Sequence, residues 1–269
     1  MILALNMAFG ILTRRRRDRL RARAVPDAWR AILESNLSIF LRLPPEDRSE
    51  LLGHMQVFLE EKHFEGCGGL QLTEEIQVTI AAQACVLLLH RETDYYPQLV
   101  SILVYPSGYT ASEERHMGGG IWAEGDEDRL GHTTPGMSAL VLAWDAARHG
   151  AADPHSGDNL ILHEFAHQLD FENQVVDGTP VLGTHGEYVA WARIMSAEFE
   201  ALRNANAADL PTFLDGYGAT SPAEFFAVTT ESFFEKPRAL RRTHPALYAE
   251  LERFYRQDPV SYSAEPAID

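Results

Sequence analysis

The sequence predicts an α+β fold that is dominated by helices and carries a small β-sheet. Apolar residues recur at spacings of three and four along most of the chain, which is typical of amphipathic helices. Two short apolar runs, at residues 99–105 and 139–144, are bounded by proline or glycine and predict strands. A hydrophobic fraction of 45% with 23% charged residues argues against a disordered or multispan membrane chain.

We divide the chain into a basic N-terminal segment, residues 1–25, and a single domain, residues 26–269, whose first part is helical. Apolar spacing on both sides of Pro44-Pro45 predicts two helices within residues 26–62. Proline separates them because it can begin a helix but does not continue one.

Thr73 suits the N-cap of a third helix, over residues 76–89, which is apolar on most sides and is therefore expected to be central. Residues 110–136 are rich in glycine, acidic residues and histidine without a usable period, which predicts a long loop near a functional site. Further helices are predicted at residues 160–171, 187–204, 221–235 and 243–257.

Charge is distributed unevenly along the chain. The 39 acidic and 23 basic residues give a net charge of −16, yet residues 1–24 hold seven arginines and one aspartate. The body of the protein is thus strongly acidic, and its field repels phosphate. We therefore expect no direct binding to nucleic acid.

Two features favour a cytoplasmic location. The N-terminal apolar run precedes its arginines, which inverts the order of a secretory signal, and about 12 apolar residues are too few to span a bilayer. Cys67 and Cys85 show neither a disulfide nor a metal spacing, and reduced thiols fit the cytosol. We expect no stable membrane insertion.

The chemistry is concentrated in the segment His163-Glu164-Phe165-Ala166-His167. A helical turn takes about 3.6 residues, so His163 and His167 project from one face and can share one ion. Zinc suits such ligands, and Glu164 is placed to take a proton from a water on the ion's open position. The pattern predicts one Zn²⁺ per chain and hydrolysis of a peptide or ester bond.

A bare HExxH pattern also occurs by chance on surface helices, so its context decides. The polar residues here are surrounded by apolar ones, namely Leu160, Ile161, Leu162, Phe165 and Leu169. A solvated helix face would not carry so many apolar side chains, whereas a buried polar cluster needs partners such as a metal. The context favours a metal site.

A catalytic zinc needs a third protein ligand. Asp170 and Glu172 lie on the motif helix or at its end, His185 lies in the following loop, and Glu224 begins a later helix. Three ligands from one straight helix give a poor angle for tetrahedral coordination, so we prefer a ligand from another segment. Glu224 stands alone in an apolar helix opening, which coordination explains; the alternative is a carboxylate favoured by the helix dipole.

Two more residues are candidates for supporting roles. Glu231, two turns after Glu224, can orient a zinc-bound imidazole, although a purely structural role fits equally well. Tyr217 is flanked by glycines, and its phenol can donate a hydrogen bond to the oxyanion of a tetrahedral intermediate. The alternative for Tyr217 is a loop residue used for packing.

Several longer motifs carry a family resemblance. They are FLEEK at 58–62, AAQAC at 81–85, VYPS at 104–107, GDN at 157–159, HEFAHQLD at 163–170, PAEFFAV at 222–228 and FYRQDP at 254–259. With them the chain resembles the Mlc titration factor A (MtfA) family of bacterial zinc peptidases over most of its length. This gluzincin-like group is similar to the anthrax lethal factor protease domain.

The resemblance implies a zincin-like peptidase fold and zinc bound by His163, His167 and Glu224, with Glu164 as general base and Tyr217 as the transition-state tyrosine. It implies a cytoplasmic protein with modest, often aminopeptidase-like, activity on a peptide or protein substrate. Some members bind the glucose-responsive transcription repressor Mlc and withdraw it from DNA. A repressor of the Mlc type is therefore a second expected partner.

Two functions follow, and one chain can have both. The first is a zinc peptidase in which the strand at residues 139–144 pairs with an extended substrate, as an exposed sheet edge can. The second is a binding protein that sequesters a repressor and uses zinc to support its fold. Hydrolysis of a non-peptide amide is a third reading.

Overall fold

The structure is a computed structural model that describes residues 2–107, 109–110, 128–129, 131–133, 138–152 and 157–262. Helices dominate this part of the chain and a small sheet accompanies them, which confirms the predicted α+β class. The helices are α1 (Ile2–Arg21), α2 (Asp27–Asn36), α3 (Ser38–Arg42), α4 (Pro45–Glu61), α5 (Glu74–Val86), α6 (Trp144–Ala152), α7 (Leu160–Asp170), α8 (His185–Ala207), α9 (Pro222–Glu235), α10 (Pro237–Thr243) and α11 (Pro245–Tyr255).

The strands are β1 (His63–Gly66), β2 (Ser101–Tyr105), β3 (Tyr109–Thr110), β4 (Asp128–Arg129), β5 (Gly131–Thr133) and β6 (Ala139–Ala143). Four of them form a mixed sheet in the order β1-β2-β6-β5. β1, β2 and β6 run parallel, while β5 is antiparallel to β6. β3 and β4 form a separate antiparallel pair.

The expectation that the strand at residues 139–144 lies at a sheet edge is wrong. This strand, β6, pairs with β2 on one side and with β5 on the other, where His132 is opposite Val141. Both rows of its backbone hydrogen-bonding groups are therefore used. The terminal strand on this side of the described sheet is β5.

The helix predictions hold with three differences. The first predicted helix is interrupted at Leu37, whose backbone is extended, and becomes α2 and α3. The last one is preceded by a separate short helix, α10, because Pro245 starts a new helix rather than continuing the previous one. The chain also turns into helix α6 directly at Trp144, which the sequence pattern assigned to a strand.

The predicted loop at residues 110–136 lies mostly outside the described residues. The parts of it that are described belong to β4 and β5 and are extended. β1 is a further strand that the sequence did not predict. Each of these strands has two to four residues, so its own sequence gives no usable period.

The central helix and its cap are as predicted. Thr73 accepts a hydrogen bond from the backbone N–H of Ile76, and ten residues of α5 are buried. Phe165 of α7 packs edge-on against Phe58 of α4 and lies 4.9 Å, centroid to centroid, from Tyr96. These aromatic contacts fix the motif helix against the N-terminal helices.

Ionic contacts join the first helix to the rest of the fold. Arg17 of α1 forms ion pairs with Glu61 at the end of α4 (3.0 Å) and with Asp94 (2.7 Å). Lys62 is buried and donates hydrogen bonds to the carbonyl oxygens of Tyr96 and Leu99. Among the described residues, no helix is long and apolar enough to cross a membrane.

A glycine brings the loop after α7 close to the start of α9. Gly178 has a positive φ of 76°, and a Cβ atom there would overlap the carbonyl oxygen of Pro222. Its N–H donates to Asp170 and its carbonyl accepts from the indole of Trp191. The position of α9 relative to α7 thus depends on a residue without a side chain.

We expect Gly178→Ala to lower the free energy of unfolding by about 3 kcal/mol, because a strained φ and a backbone clash add together. Gly69→Ala is the matched control: Gly69 has a φ of 83°, but nothing lies within 4 Å of its would-be Cβ. That variant should lose only about 1–2 kcal/mol. Urea denaturation measures both, and equal losses would show that the contact with Pro222 is unimportant.

Candidate metal centre

The motif helix, α7, begins after Asn159, which acts as its N-cap. The Asn159 side chain accepts a hydrogen bond from the backbone N–H of Leu162, and Gly157 just before it has a positive φ of 69°. Asparagine is a favourable N-cap because its oxygen satisfies a free N–H of the first turn. The cap fixes where α7 starts. It therefore also fixes the directions in which the following side chains point from the helix.

His163 and His167 lie one turn apart on α7, with ring centroids separated by 4.9 Å. Both direct their Nε2 atoms at a single oxygen of Glu224, at 2.9 Å from His163 and 3.3 Å from His167. The structure therefore brings together the two histidines of the motif and the carboxylate that the sequence selected from a later helix.

Local sequence explains how Glu224 reaches this position. Ser221 caps α9 by accepting a hydrogen bond from the Glu224 N–H, and Pro222 occupies the first helical turn. Both residues are typical of a helix start. Glu224 is thus held in the first turn of α9, where the packing of α9 against α7 presents it to the two imidazoles.

The three side chains fit a divalent cation. One donor atom from each lies within 4.8 Å of the others. Zinc–nitrogen bonds of about 2.0–2.1 Å in a tetrahedron place neighbouring donors roughly 3.3 Å apart, close to the separations seen here. Two imidazole nitrogens and one carboxylate oxygen are also the donor set of known catalytic zinc sites.

Electrostatic interactions couple the same groups. Burial disfavours a charged imidazole, but hydrogen bonds with Glu224 and Glu231 outweigh it and raise the pKa of His163 well above its usual value. Burial likewise opposes the Glu224 carboxylate, yet hydrogen bonds from His163 and His167 hold its pKa well below the ordinary range. The ionisation of His163 and the ionisation of Glu224 are therefore coupled.

Glu231 contacts the ring nitrogen of His163 that does not face Glu224. One of its carboxylate oxygens lies 2.7 Å from Nδ1 of His163, and the other accepts a hydrogen bond from the backbone N–H of Asn159. Glu231 is 4% exposed. With Nδ1 donating to Glu231, Nε2 of His163 is the ring nitrogen that points to the cation position.

The two predicted catalytic residues lie beside this cluster. Glu164 is 5% exposed, and its charge raises the pKa of His163 further. Tyr217 lies in a short 3-10 turn, Gly216–Ala219, whose start is capped by Asp215. Its ring centroid is 6.1 Å from that of His163, and the residue is 55% exposed.

The other ligand candidates are not part of the cluster. Asp170 is fully buried and accepts a hydrogen bond from Gly178, and burial raises its pKa to about 6. Burial also raises the pKa of Glu172, while His185 is exposed at the start of α8. Among the described residues, the carboxylate that lies with the two histidines belongs to a separate segment, α9.

A second group of possible ligands, Asp47, Glu50 and His90, occurs elsewhere in the described chain. His90 forms ion pairs with both carboxylates, and its backbone N–H donates to Glu50. Glu50 also pairs with His54. These contacts satisfy the group without a cation.

Sequence reasoning missed Asn159 as a contributor to the centre. Its backbone N–H binds Glu231, its side-chain oxygen caps α7, and its side-chain nitrogen donates to Glu235. An asparagine directly before an apolar run is a helix-start signal. The contact with Glu231 spans 72 positions of sequence and had no such signal.

A helix that presents two histidines around a glutamate, opposite a carboxylate from another helix, is the donor arrangement that metallopeptidases use. Comparison with known sequences agrees. The chain belongs to the family of glucose-regulated metallo-peptidases M90, whose sequence profile matches residues 12–256.

Several individual proteins are similar over most of their length. The uncharacterized protein slr2042 of Synechocystis sp. is 39% identical over 245 residues, which cover 91% of this chain and 89% of the relative. Mlc titration factor A of Edwardsiella ictaluri is 31% identical, with coverage of 83% and 85%. Mlc titration factor A of Serratia proteamaculans is 30% identical, with coverage of 84% and 86%.

We expect Glu231→Gln to weaken the binding of a divalent metal about 10–100-fold, since an amide is a poorer partner for the N–H of a ligating imidazole. Isothermal titration of the metal-free protein measures the change. Glu198→Gln is the matched control, because Glu198 binds Nδ1 of His244 at 2.8 Å in the same way. Equal effects of the two substitutions would contradict a special role for Glu231.

Proposed function

We propose that this protein is a zinc-dependent peptidase in which His163, His167 and Glu224 hold one zinc ion. The main support is that the Nε2 atoms of His163 and His167 both lie close to one carboxylate oxygen of Glu224. Two imidazoles and a carboxylate from separate helices favour zinc over calcium or magnesium, which prefer oxygen donors. Membership of a metallopeptidase family supports the same conclusion.

Glu164 is the general base of this proposal. Zinc in such a site polarises a carbonyl and makes water acidic enough to ionise near neutral pH. The Glu164 carboxylate takes the proton of the attacking water and delivers it to the amine that leaves. Its burial beside His163 keeps it fixed and away from bulk solvent, which strengthens its interactions with a substrate.

Tyr217 is the proposed oxyanion partner. Its exposure lets the phenol meet a substrate entering from solvent, and its turn holds the ring near His163. A phenol donates one hydrogen bond, which gains strength as negative charge develops on the carbonyl oxygen. Tyr217 thus stabilises the transition state more than it stabilises bound substrate.

β5 is the proposed docking strand for the peptide. It contacts α7 and is the terminal strand of the described sheet on that side. An extended substrate can add to such an edge through main-chain hydrogen bonds.

Aminopeptidase-like cleavage is the specificity that we propose to test first. The free thiols Cys67 and Cys85 support a cytoplasmic site of action.

Binding of an Mlc-type repressor is the second candidate function. Two of the relatives are named Mlc titration factor A and share 30–31% identity over more than four-fifths of this chain. Binding of a protein partner requires a surface and not proton transfer by Glu164. The two functions can therefore be separated by one substitution.

We expect Glu164→Gln to retain one zinc per chain and to lower kcat for peptide hydrolysis by about 10²–10⁴. Zinc is measured by atomic absorption and hydrolysis by mass spectrometry of a peptide library. Retained activity would refute the role of Glu164. Repressor binding by the same variant, tested by pull-down with purified Mlc, should be unchanged if that function is separate.

We expect Tyr217→Phe to lower kcat by about 10²–10³ while KM and zinc content stay near those of the wild type. Removing the hydroxyl affects the transition state, whereas the ring still packs near His163. Tyr188→Phe, on α8, is the control for loss of a phenol elsewhere. A change confined to KM would assign Tyr217 to substrate binding instead.

A further inference from the structure

A small cavity lies between α3, α5, the first turn of α7 and the end of α9. Its polar lining consists of Ser38, Arg42, Gln83, Asn159 and Glu235, and the remaining lining is apolar. The cavity volume is about 20 Å³. One water molecule needs roughly 10–15 Å³, so the cavity has room for a water.

Three buried polar atoms around this cavity have no hydrogen-bond partner among the residues that the structure describes. They are Nε of Arg42 and both side-chain atoms, Nε2 and Oε1, of Gln83. Gln83 is 1% exposed. Buried polar groups are nearly always bonded to protein or to ordered water, and a buried water typically makes two to four such bonds.

Glu235 joins the cavity to the metal centre. Its Oε1 accepts a hydrogen bond of 2.9 Å from the side-chain nitrogen of Asn159. The backbone N–H of Asn159 donates to Glu231, and Glu231 lies 2.7 Å from Nδ1 of His163. A continuous series of contacts therefore leads from the cavity to the imidazole.

The contact with Glu235 orients the side-chain amide of Asn159. Its side-chain oxygen caps Leu162, and its side-chain nitrogen faces the Glu235 carboxylate. A flipped amide would point its NH₂ group at the N–H of Leu162 and its oxygen at a carboxylate. Glu235 thus fixes the amide orientation and holds the Asn159 backbone against Glu231.

We propose that the cavity binds one ordered water, held by Gln83 and Arg42 beside Glu235, and that Glu235 and Asn159 are positioning residues for His163. The charge of Glu235 also acts on Arg42 across this space. The positioning role rests on the proposed function only in taking His163 as a metal ligand. Glu235 and Asn159 act through Glu231 and do not touch substrate.

Whether the cavity holds a water decides whether a substitution of Gln83 lowers or raises Tm. Gln83→Met keeps the side-chain length but removes both polar atoms. With a bound water, the variant loses satisfied hydrogen bonds and its Tm falls. Without one, it removes an unsatisfied buried amide and its Tm rises, which would overturn the proposal.

Gln56→Met is the matched control for this measurement. Gln56 is buried, and its Nε2 donates to the carbonyl oxygen of Arg23, so its amide is bonded within the protein. Its replacement should lower Tm. The proposal predicts that Gln83→Met and Gln56→Met change Tm in the same direction.

The positioning role is tested on the imidazole itself. In metal-free protein, Glu235→Leu should shift the ¹⁵N-detected ring N–H signal of His163, and it should weaken zinc binding about tenfold. Glu235→Gln keeps an acceptor for Asn159 and should restore both properties to near the wild-type values. Glu250→Leu, a buried carboxylate on α11 that pairs with Arg253, controls for loss of charge and packing.

A second variant covers the case in which Glu235→Leu does not fold. Asn159→Ser keeps a cap for α7 but lacks the nitrogen that faces Glu235, and it should shift the His163 signal in the same direction. An unshifted His163 signal in the folded variant overturns the positioning role. Absence of peptide hydrolysis by the wild type would refute the proposed function but would leave the His163 shift to decide this one.

Discussion

The centre depends on the packing of α9 against α7. His163 and His167 on α7 and Glu224 in the first turn of α9 each offer one donor atom, and these atoms lie within 4.8 Å of one another. Burying three ionisable groups is unfavourable unless each is bonded. The surrounding structure accordingly supplies a partner for His163 in Glu231 and a cap for α9 in Ser221. Gly178 lets the loop after α7 approach the backbone of Pro222 at the start of α9, where a Cβ atom would overlap the Pro222 carbonyl oxygen.

The parts of the site that could be predicted are those encoded locally. The spacing of His163 and His167 follows from helix geometry alone, and Glu224 was identifiable because a single carboxylate interrupts an apolar helix opening. The bond from Asn159 to Glu231 and the contact of Glu235 with Asn159 could not be predicted in this way. They join residues more than 70 positions apart, and their distance is set by the packing of whole helices. The same reason explains why the short strand β1, which is stabilised by pairing with β2, left no pattern of its own.

The position of β6 in the sheet differs from the position that its own sequence suggested. The strand at residues 139–144 was expected to offer an exposed edge to an extended substrate, yet β5 forms its outer partner. Four of its five residues are buried, which fits a strand paired on both sides. The strand itself was predictable from its own sequence, whereas its place in the sheet depends on a partner of only three residues. The surface offered to an extended ligand is consequently that of β5.

Two carboxylates contact the His163 ring at its two nitrogens. Glu231 lies 2.7 Å from Nδ1, and Glu224 lies 2.9 Å from Nε2. A metal ion held at Nε2 would bind the deprotonated nitrogen, so its affinity would fall as the pH falls. Glu231 would stay in place when such an ion binds, because it contacts the opposite nitrogen of the ring. The buried contact of His163 with Glu231 would thus hold the ring in the same orientation with or without the ion.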